Sequence, residues 1–236
     1  MGDILNAVRF GNKGKVQEYI NGNNDVNALD HDKNTLLMIA AKKGWYHVAE
    51  MLIDNGADIK LKNKDDITAL HIATHGYYHK LVKLLLEKGA CAHEKDSNGN
   101  TPLHYISMTI EDDKENRLPS ATMDYLVEKY DDFKLEIDLG NLKGETPLHL
   151  AAEKGLEHVG QYFLRNRARL NAIDETMETP FHKAVNHTNM IKMFLYQDNV
   201  SSFINCTNKD GDSALHKASR NGAEADLETG FSMIDF

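Results

Sequence analysis

The sequence has few of the features that mark secreted, membrane-bound or nucleic-acid-binding proteins. Its two cysteines, Cys91 and Cys206, are far apart and lack CxxC spacing, so we expect reduced thiols and no disulfide framework. No uninterrupted apolar run approaches the roughly 18 residues that a membrane helix needs. The N-terminus lacks the basic and apolar segments of a signal peptide. We therefore expect a cytoplasmic protein with no membrane partner.

Positive charge is also scarce. The chain carries 27 Lys and Arg against 36 Asp and Glu, a formal net charge of −9. Nucleic acids and anionic membranes favour a basic surface, so this balance argues against a nucleic-acid partner. The expected complement is a basic patch on a protein partner. Because 41% of the residues are hydrophobic and 27% are charged, the chain can bury a substantial core and we expect it to be globular.

A four-residue motif recurs through the chain: Thr or Ser, then Pro or Ala, then a large apolar residue, then His. Full copies begin at Thr68, Thr101, Thr146, Thr179 and Ser213, and a decayed copy begins at Thr35. Three of the spacings between successive copies are 33 residues, one is 34 and one is 45. Self-similarity at this period is typical of a solenoid of stacked repeats.

Each motif predicts the start of a helix, because the hydroxyl can cap free backbone donors and Pro at the first helical position loses no hydrogen bond. Small residues follow, then a turn that often contains Gly, then a second apolar-periodic helix such as Val48 to Ile53. An Asp or Asn five residues before each motif predicts a β-hairpin-like loop between repeats. These residues are Asp30, Asn63, Asp96, Asn141, Asp174 and Asn208.

In these features the chain resembles the ankyrin-repeat family over nearly its whole length. The resemblance implies an all-α solenoid in a single domain, residues 1–236, of about seven helix-turn-helix units joined by β-hairpin-like loops. It also implies that the motif histidines tie neighbouring hairpins together. We expect a monomer. The units span about residues 1–29, 30–62, 63–95, 96–140, 141–173, 174–207 and 208–236, and the last is either degenerate or truncated.

The resemblance places a partner surface on the concave side, at the hairpin tips and the exposed end of the first helix of each unit. Residues at these positions are mostly polar, with Ile67 and Leu142 as apolar exceptions. The predicted contact set is His31, Asp32, Asn34, Lys42, Lys43, Lys64, Asp65, Ile67, His75, Asn98, Asn100, Leu142, Lys143, Glu145, Glu153, Lys154, Glu178, His187 and Arg220.

A second candidate surface is the aromatic group Trp45, Tyr46, Tyr77 and Tyr78, at equivalent turns of two adjacent units. Exposed aromatic residues at this density favour an interface. The alternative is that Trp45 and Tyr78 pack against the neighbouring turn and only Tyr46 is exposed. The sequence leaves both interpretations open.

The fourth unit is longer than the others and acidic at both of its additions, an insertion at residues 109–120 and an enlarged hairpin at 131–137. Loops in solenoids tolerate insertions at small cost, because closure entropy grows slowly with loop length. Contact with a partner would explain the additions equally well, so these two interpretations also stay open.

The histidines provide no convincing metal or catalytic site. Five of the twelve belong to the repeated motif. His71, His75 and His79 have the four-residue spacing that lines one face of a continuous helix, but the first helix is expected to end near Gly76. We therefore predict no metal ion, no cofactor and no catalytic residue.

The family resemblance implies a non-catalytic module that recruits or masks a protein partner. The alternative is a substrate-targeting domain of a larger enzyme or ubiquitin-ligase adaptor. The resemblance also suggests Asn27 and Asn171 as candidate sites for asparaginyl hydroxylation, with hairpin turn residues as the simpler interpretation. The abundance of Asn, Lys and Ile indicates an AT-rich genome. This composition fits a protist, or a host-directed effector of an intracellular bacterium acting in the host cytosol.

Overall fold

Helices occupy the places that the repeats predict. The computed structural model describes residues 2–109, 119–127, 137–198 and 200–220. In these residues α1 to α12 follow one another in pairs, α13 is the first helix of the last repeat, and single 3-10 turns occur at Ala184–Asn186 and Val200–Ser202. The α-helices are α1 (Gly2–Arg9), α2 (Lys13–Asn21), α3 (Leu36–Lys43), α4 (Tyr46–Asp54), α5 (Ala69–His75), α6 (His79–Glu87), α7 (Pro102–Ile106), α8 (Pro119–Val127), α9 (Pro147–Lys154), α10 (Glu157–Arg165), α11 (Pro180–Lys183), α12 (Thr188–Leu195) and α13 (Ala214–Arg220).

The β-hairpin-like loops form no sheet in the part of the chain that the structure describes. Pairing there is limited to two antiparallel bridges, Leu29 with Thr35 and Thr207 with Ser213. The predicted all-α class is confirmed.

The motif starts a helix through both of its polar side chains. Thr146 has extended backbone dihedrals and precedes α9 as its N-cap. The main-chain N–H of Thr146 donates to Nδ1 of His149 at 3.1 Å, and the Thr146 hydroxyl lies 2.8 Å from the same nitrogen. Nδ1 of His149 and the hydroxyl of Thr146 therefore cap the N-terminus of α9 together. This shared role explains why Thr and His recur three residues apart in the motif.

The Asp or Asn before each motif builds the loop between repeats. Oδ1 of Asn141 accepts the main-chain N–H groups of Lys143 and Glu145 at 2.9 and 3.0 Å. The other five loops have the same two bonds. The fourth residue of each loop has a left-handed φ between 58° and 79°, which Gly adopts without strain. These residues are Lys33, Asp66, Gly99, Gly144, Met177 and Gly211.

The chain forms two compact units, which we call the N-terminal unit (residues 1–106 and 114–129) and the C-terminal unit (107–113 and 130–236). In the N-terminal unit α1, α3, α5 and α7 stack in one row, and α2, α4, α6 and α8 stack in a second. In the C-terminal unit α9, α11 and α13 form one row, and α10 packs on α12. The apolar third residue of a motif is fully buried between rows at Leu70, Leu148 and Phe181, whereas Leu215 of the last copy is 50% exposed.

Some predictions fall outside the described residues. They include most of the insertion (110–118), most of the enlarged hairpin (131–136) and the end of the last repeat (221–236). The single domain of seven units stays a prediction. Within the described ranges, no helix has both the length and the apolar character that crossing a bilayer requires.

Candidate functional site

The motif histidines connect successive repeats. Nε2 of His71 lies 3.2 Å from the carbonyl oxygen of Asn100, in the next repeat. The same contact joins His149 to the Glu178 carbonyl at 3.0 Å and His182 to the Asp212 carbonyl at 3.1 Å. Because Nδ1 accepts from the Thr N–H and Nε2 donates to the carbonyl, each ring is the neutral Nε2–H tautomer. Burial lowers the pKa of all three imidazoles. The predicted structural role is confirmed.

The candidate metal ligands do not share a helix face. α5 ends at His75 and α6 begins at His79, as the position of Gly76 predicts. In the described part of the chain, no three His, Cys, Asp or Glu side chains are grouped closely enough to hold a metal ion. Cys91 and Cys206 are both free thiols.

A groove lies on the face of the N-terminal unit that carries α3, α5 and the first hairpins. Its cavity volume is about 700 Å³. Much of its lining comes from the predicted contact set: His31, Asp32, Asn34, Lys42, Lys43, Lys64, Asp65, Ile67 and His75. The prediction lacked the remaining lining residues: Arg9, Asp30, Met38, Ile39, Asn63, Ile72 and Tyr105.

The groove has an apolar floor, which we define as Ile39, Ile67, Ile72 and Tyr105. Ile39 is 8% exposed and the other three are half-buried. The Tyr105 hydroxyl donates to Oδ2 of Asp96 at 2.9 Å. Burial and this carboxylate raise the pKa of Tyr105, so the phenol stays protonated and its ring is fixed in place.

The groove also has a cationic rim, which we define as Arg9, Lys42 and Lys43. All three residues are exposed. Their side chains make no ion pair or hydrogen bond with any residue that the structure describes. Lys64, by contrast, lies 2.7 Å from Oδ1 of Asp32 on the neighbouring hairpin. The rim therefore presents uncompensated positive charge beside an apolar surface.

The C-terminal unit carries lysines where the floor has isoleucines. Ile39, Ile72, Lys183 and Lys217 each follow the fourth residue of a motif copy. Nζ of Lys183 lies 2.9 Å from Asp174, and 3.4 Å from both Glu145 and Glu178. Nζ of Lys217 lies 2.6 Å from Glu178. These lysines are neutralised within the unit.

We call Lys183, Lys217 and their carboxylate partners the cluster. Asp174 has the most strongly shifted carboxyl pKa in it. Burial opposes its ionisation, but hydrogen bonds from Thr176 and Lys183 outweigh burial and lower its pKa to about 2. The pKa of Lys183 is raised despite burial, because three carboxylates surround it. Asp174 and Lys183 therefore form an ionised pair at neutral pH.

The expectation of an exposed side chain is wrong at three positions of the predicted contact set. Asn100, Glu145 and Glu178 are 4%, 9% and 9% exposed. Each directly precedes a motif. The Asn100 amide donates to Oδ2 of Asp96, and the Glu145 carboxylate accepts from the Asn141 amide, both at 3.1 Å. Loop closure therefore removes these two side chains from solvent, whereas the Glu178 carboxylate pairs with Lys183 and Lys217.

The aromatic group does not form one exposed patch. Tyr77 is 5% exposed, and its hydroxyl donates to the Ile106 carbonyl at 2.8 Å, so its assignment to the patch is wrong. The ring of Tyr78 lies on Gly44. Tyr46 is half-buried and donates to Glu50 at 3.0 Å.

The alternative, packing against the neighbouring turn, describes Trp45 as well as Tyr78. The Trp45 ring lies on Gly11, and its Nε1–H donates to the Arg9 carbonyl at 3.3 Å. Trp45 nevertheless remains 41% exposed, so the expectation that only Tyr46 is exposed is wrong. His187, a predicted contact residue, occupies the same place: its ring lies on Gly155, and its Nε2 is 2.8 Å from the Glu153 carbonyl.

The other candidates are dispersed. Asn98 is exposed at a hairpin tip of the N-terminal unit, and Leu142 and Lys143 are exposed at a tip of the C-terminal unit. Glu153 and Lys154 are exposed at the end of α9. Arg220 is bound by Asp212 through both of its terminal nitrogens. Of the two asparagines proposed for hydroxylation, Asn27 accepts the Asp58 N–H at 2.8 Å, and Asn171 is exposed.

Comparisons with known proteins agree with this architecture. A family model described as ankyrin repeats (3 copies) matches residues 4–96, 46–113 and 115–205. Among solved structures, the crystal structure of the human ASB11 ankyrin repeat domain is similar, with a TM-score of 0.77 and 21% sequence identity. The match covers 96% of each chain. No curated protein matches this chain in sequence.

Proposed function

The chain belongs to the ankyrin-repeat family, and we propose that it binds a protein partner in the groove of its N-terminal unit. Repeats of this family are in general protein-interaction modules without catalytic activity. The observation that carries the proposal is the juxtaposition of the apolar floor with the cationic rim. A partly exposed apolar surface beside cations that pair with none of the described residues is typical of a binding interface.

The groove is suited to binding by complementarity with a preformed surface. Its floor is attached to short helices whose opposite sides are buried, and Tyr105 is held by a hydrogen bond to Asp96. A surface that is ordered before association loses less conformational entropy when the partner binds. Apolar and aromatic anchors surrounded by polar side chains are the usual source of affinity in protein interfaces.

We propose that binding itself produces the biological effect, by recruiting or masking the partner. The Asn-, Lys- and Ile-rich composition supports a host-directed effector as the setting. The second candidate, a targeting domain of a larger enzyme or ubiquitin-ligase adaptor, would use the same groove. The identity of the captured partner distinguishes the two: an enzyme substrate that is modified after capture supports the second.

Affinity capture with the full chain tests the proposed surface. The groove variants are Ile72→Asp, which places a charge on the floor, and the double substitution Lys42→Glu with Lys43→Glu. Lys80→Glu is the control, because Lys80 is exposed on α6 and does not line the groove. We expect both groove variants to lose a partner that the wild type and the control retain. Retention of every partner by both folded groove variants would remove the groove from consideration.

A further inference from the structure

The two units differ in charge compensation at equivalent repeat positions. Lys42 lies seven residues after Thr35, and Arg220 lies seven residues after Ser213. Arg220 is held by both carboxylate oxygens of Asp212, which directly precedes its motif. In the N-terminal unit, the residue directly before Thr35 is Asn34, which is neutral. Lys42 therefore lacks the carboxylate that the repeat supplies to Arg220.

Asn34 is also committed to other contacts. Its amide nitrogen donates to Oδ2 of Asp30 at 3.0 Å, and its amide oxygen accepts from Asn63 at 2.9 Å. These bonds hold the first two loops together and leave no acceptor aimed at Lys42. Asn34 thus takes part in the loop structure without supplying a carboxylate to Lys42.

Two of the three carboxylates that line the groove are engaged away from the cationic rim. Asp32 pairs with Lys64. Oδ1 of Asp30 accepts the N–H groups of Asp32 and Asn34 at 2.9 and 2.8 Å. Asp65 follows Lys64 at the tip of the second hairpin. In a chain of net charge −9, this concentration of unpaired positive charge on one side of an apolar floor selects for negative charge.

We propose that the groove binds an extended acidic segment of a protein, with carboxylates on the cationic rim and a large apolar side chain on the apolar floor. This inference rests on the proposed function and specifies the chemistry of its partner. Carboxylate side chains can pair with the three cations of the rim, so a nucleic-acid backbone is not needed. Only a ligand with an apolar side chain also covers the floor. The net charge of the chain led us to expect a basic patch on the partner. The rim of the groove is positively charged, so we propose an acidic segment of the partner instead.

Selection from random twelve-residue peptides displayed on phage tests this chemistry, with the full chain immobilised. We expect the enriched peptides to combine two or more carboxylates with at least one large apolar residue. Synthetic copies should bind Lys42→Glu with Lys43→Glu at least about tenfold more weakly than the wild type, and Lys80→Glu within about twofold. Replacing the peptide's apolar residue by Ser should weaken binding by about tenfold or more. Raising the salt from low to high concentration should also weaken binding.

Three results of the peptide selection would overturn the inference. They are enrichment of basic or uncharged peptides, equal binding of acidic peptides to the Lys42→Glu with Lys43→Glu variant, and no enrichment over the bare support. An oligonucleotide of thymidines that binds with the same dependence on Lys42 and Lys43 would also overturn it. The proposed function is tested separately, by whether Ile72→Asp fails to capture a folded partner that the wild type captures. None of the results above changes that outcome. Failure of the inference is therefore distinguishable from failure of the proposed function.

Discussion

Nζ of Lys183 lies 2.9 Å from Oδ2 of Asp174, and this ion pair is the centre of a cluster that also contains Glu145 and Glu178. The side chain of Lys183 is 15% exposed, so its charge is largely withdrawn from solvent. Glu145 precedes one motif and Glu178 the next, so a single ammonium group connects two successive repeats. The row of α9, α11 and α13 in the C-terminal unit is therefore held together by charge. The N-terminal unit has its apolar floor at the equivalent positions.

Replacing Lys183 by Met should lower the free energy of unfolding by about 2 kcal/mol, because three carboxylates would lose their shared cation. Lys154→Met is the control, since Lys154 is exposed and makes no ion pair with the described residues; its effect should stay within about 0.5 kcal/mol. Urea denaturation at neutral pH measures both. Equal effects of the two substitutions would show that the cluster contributes nothing to stability.

Asp174 should make stability depend on acid pH. Its pKa is lowered from 3.8 to about 2 in the folded chain, so the unfolded carboxyl takes up its proton first as the pH falls. The stabilisation is complete above about pH 4 and is lost between about pH 4 and pH 2, by about 1 to 2 kcal/mol.

Asp174→Asn should remove that part of the pH dependence while the loop stays intact, because Asn holds the same place at Asn63, Asn141 and Asn208. Denaturation curves at several pH values compare the two proteins. An unchanged slope of stability against pH between 4 and 2 in Asp174→Asn would contradict the assignment.

Met177→Gly should stabilise the chain. Met177 has a φ of 62° at the loop position where Gly99, Gly144 and Gly211 lie. A side chain in the left-handed region costs about 1 to 2 kcal/mol, and part of this is offset by the greater freedom of Gly in the unfolded chain. We expect the free energy of unfolding to rise by about 0.5 to 1 kcal/mol in thermal or urea denaturation. A decrease would mean that contacts of the Met177 side chain outweigh its backbone strain.

Gly44→Ala should reveal how much the ring of Tyr78 contributes to turn packing. Gly44 and Gly56 both have a left-handed φ, of 67° and 90°. A Cβ on Gly44 would overlap the Tyr78 ring, whereas a Cβ on Gly56 would meet nothing within 4 Å. We expect losses of about 3 kcal/mol for Gly44→Ala and about 1 kcal/mol for the control Gly56→Ala. Similar losses would mean that the ring moves aside freely.

The sequence period was sufficient to predict the helix starts and the loops, because both depend on local hydrogen bonds. Thr146 and His149 cap α9 through contacts within four residues, and Asn141 closes its own loop. The same local rule explains a failure. Glu145 was predicted to face solvent, but its place directly before the motif lies inside the loop that Asn141 closes.

Of the floor only Ile67 was predicted, and the two lysines of the cluster were missed, although the period contains the signal. Ile39, Ile72, Lys183 and Lys217 all follow the fourth residue of a motif copy, a position that the predicted contact set left out. Alignment of the repeats also places Tyr77 opposite Gly44, at a left-handed turn position, which indicates a residue with a structural role. The pairing of Lys183 with three carboxylates depends on how repeats stack, and it could not be read from spacing alone.

Photo-crosslinking of a captured partner tests the central claim most directly. A benzophenone amino acid replaces Ile72 on the floor of the groove in one protein, and Lys80 on the exposed surface of α6 in the other. Both proteins are irradiated with the same bound partner. We predict a covalent adduct from position 72 and none from position 80. An adduct from position 80 alone would contradict the assignment of the groove as the binding surface.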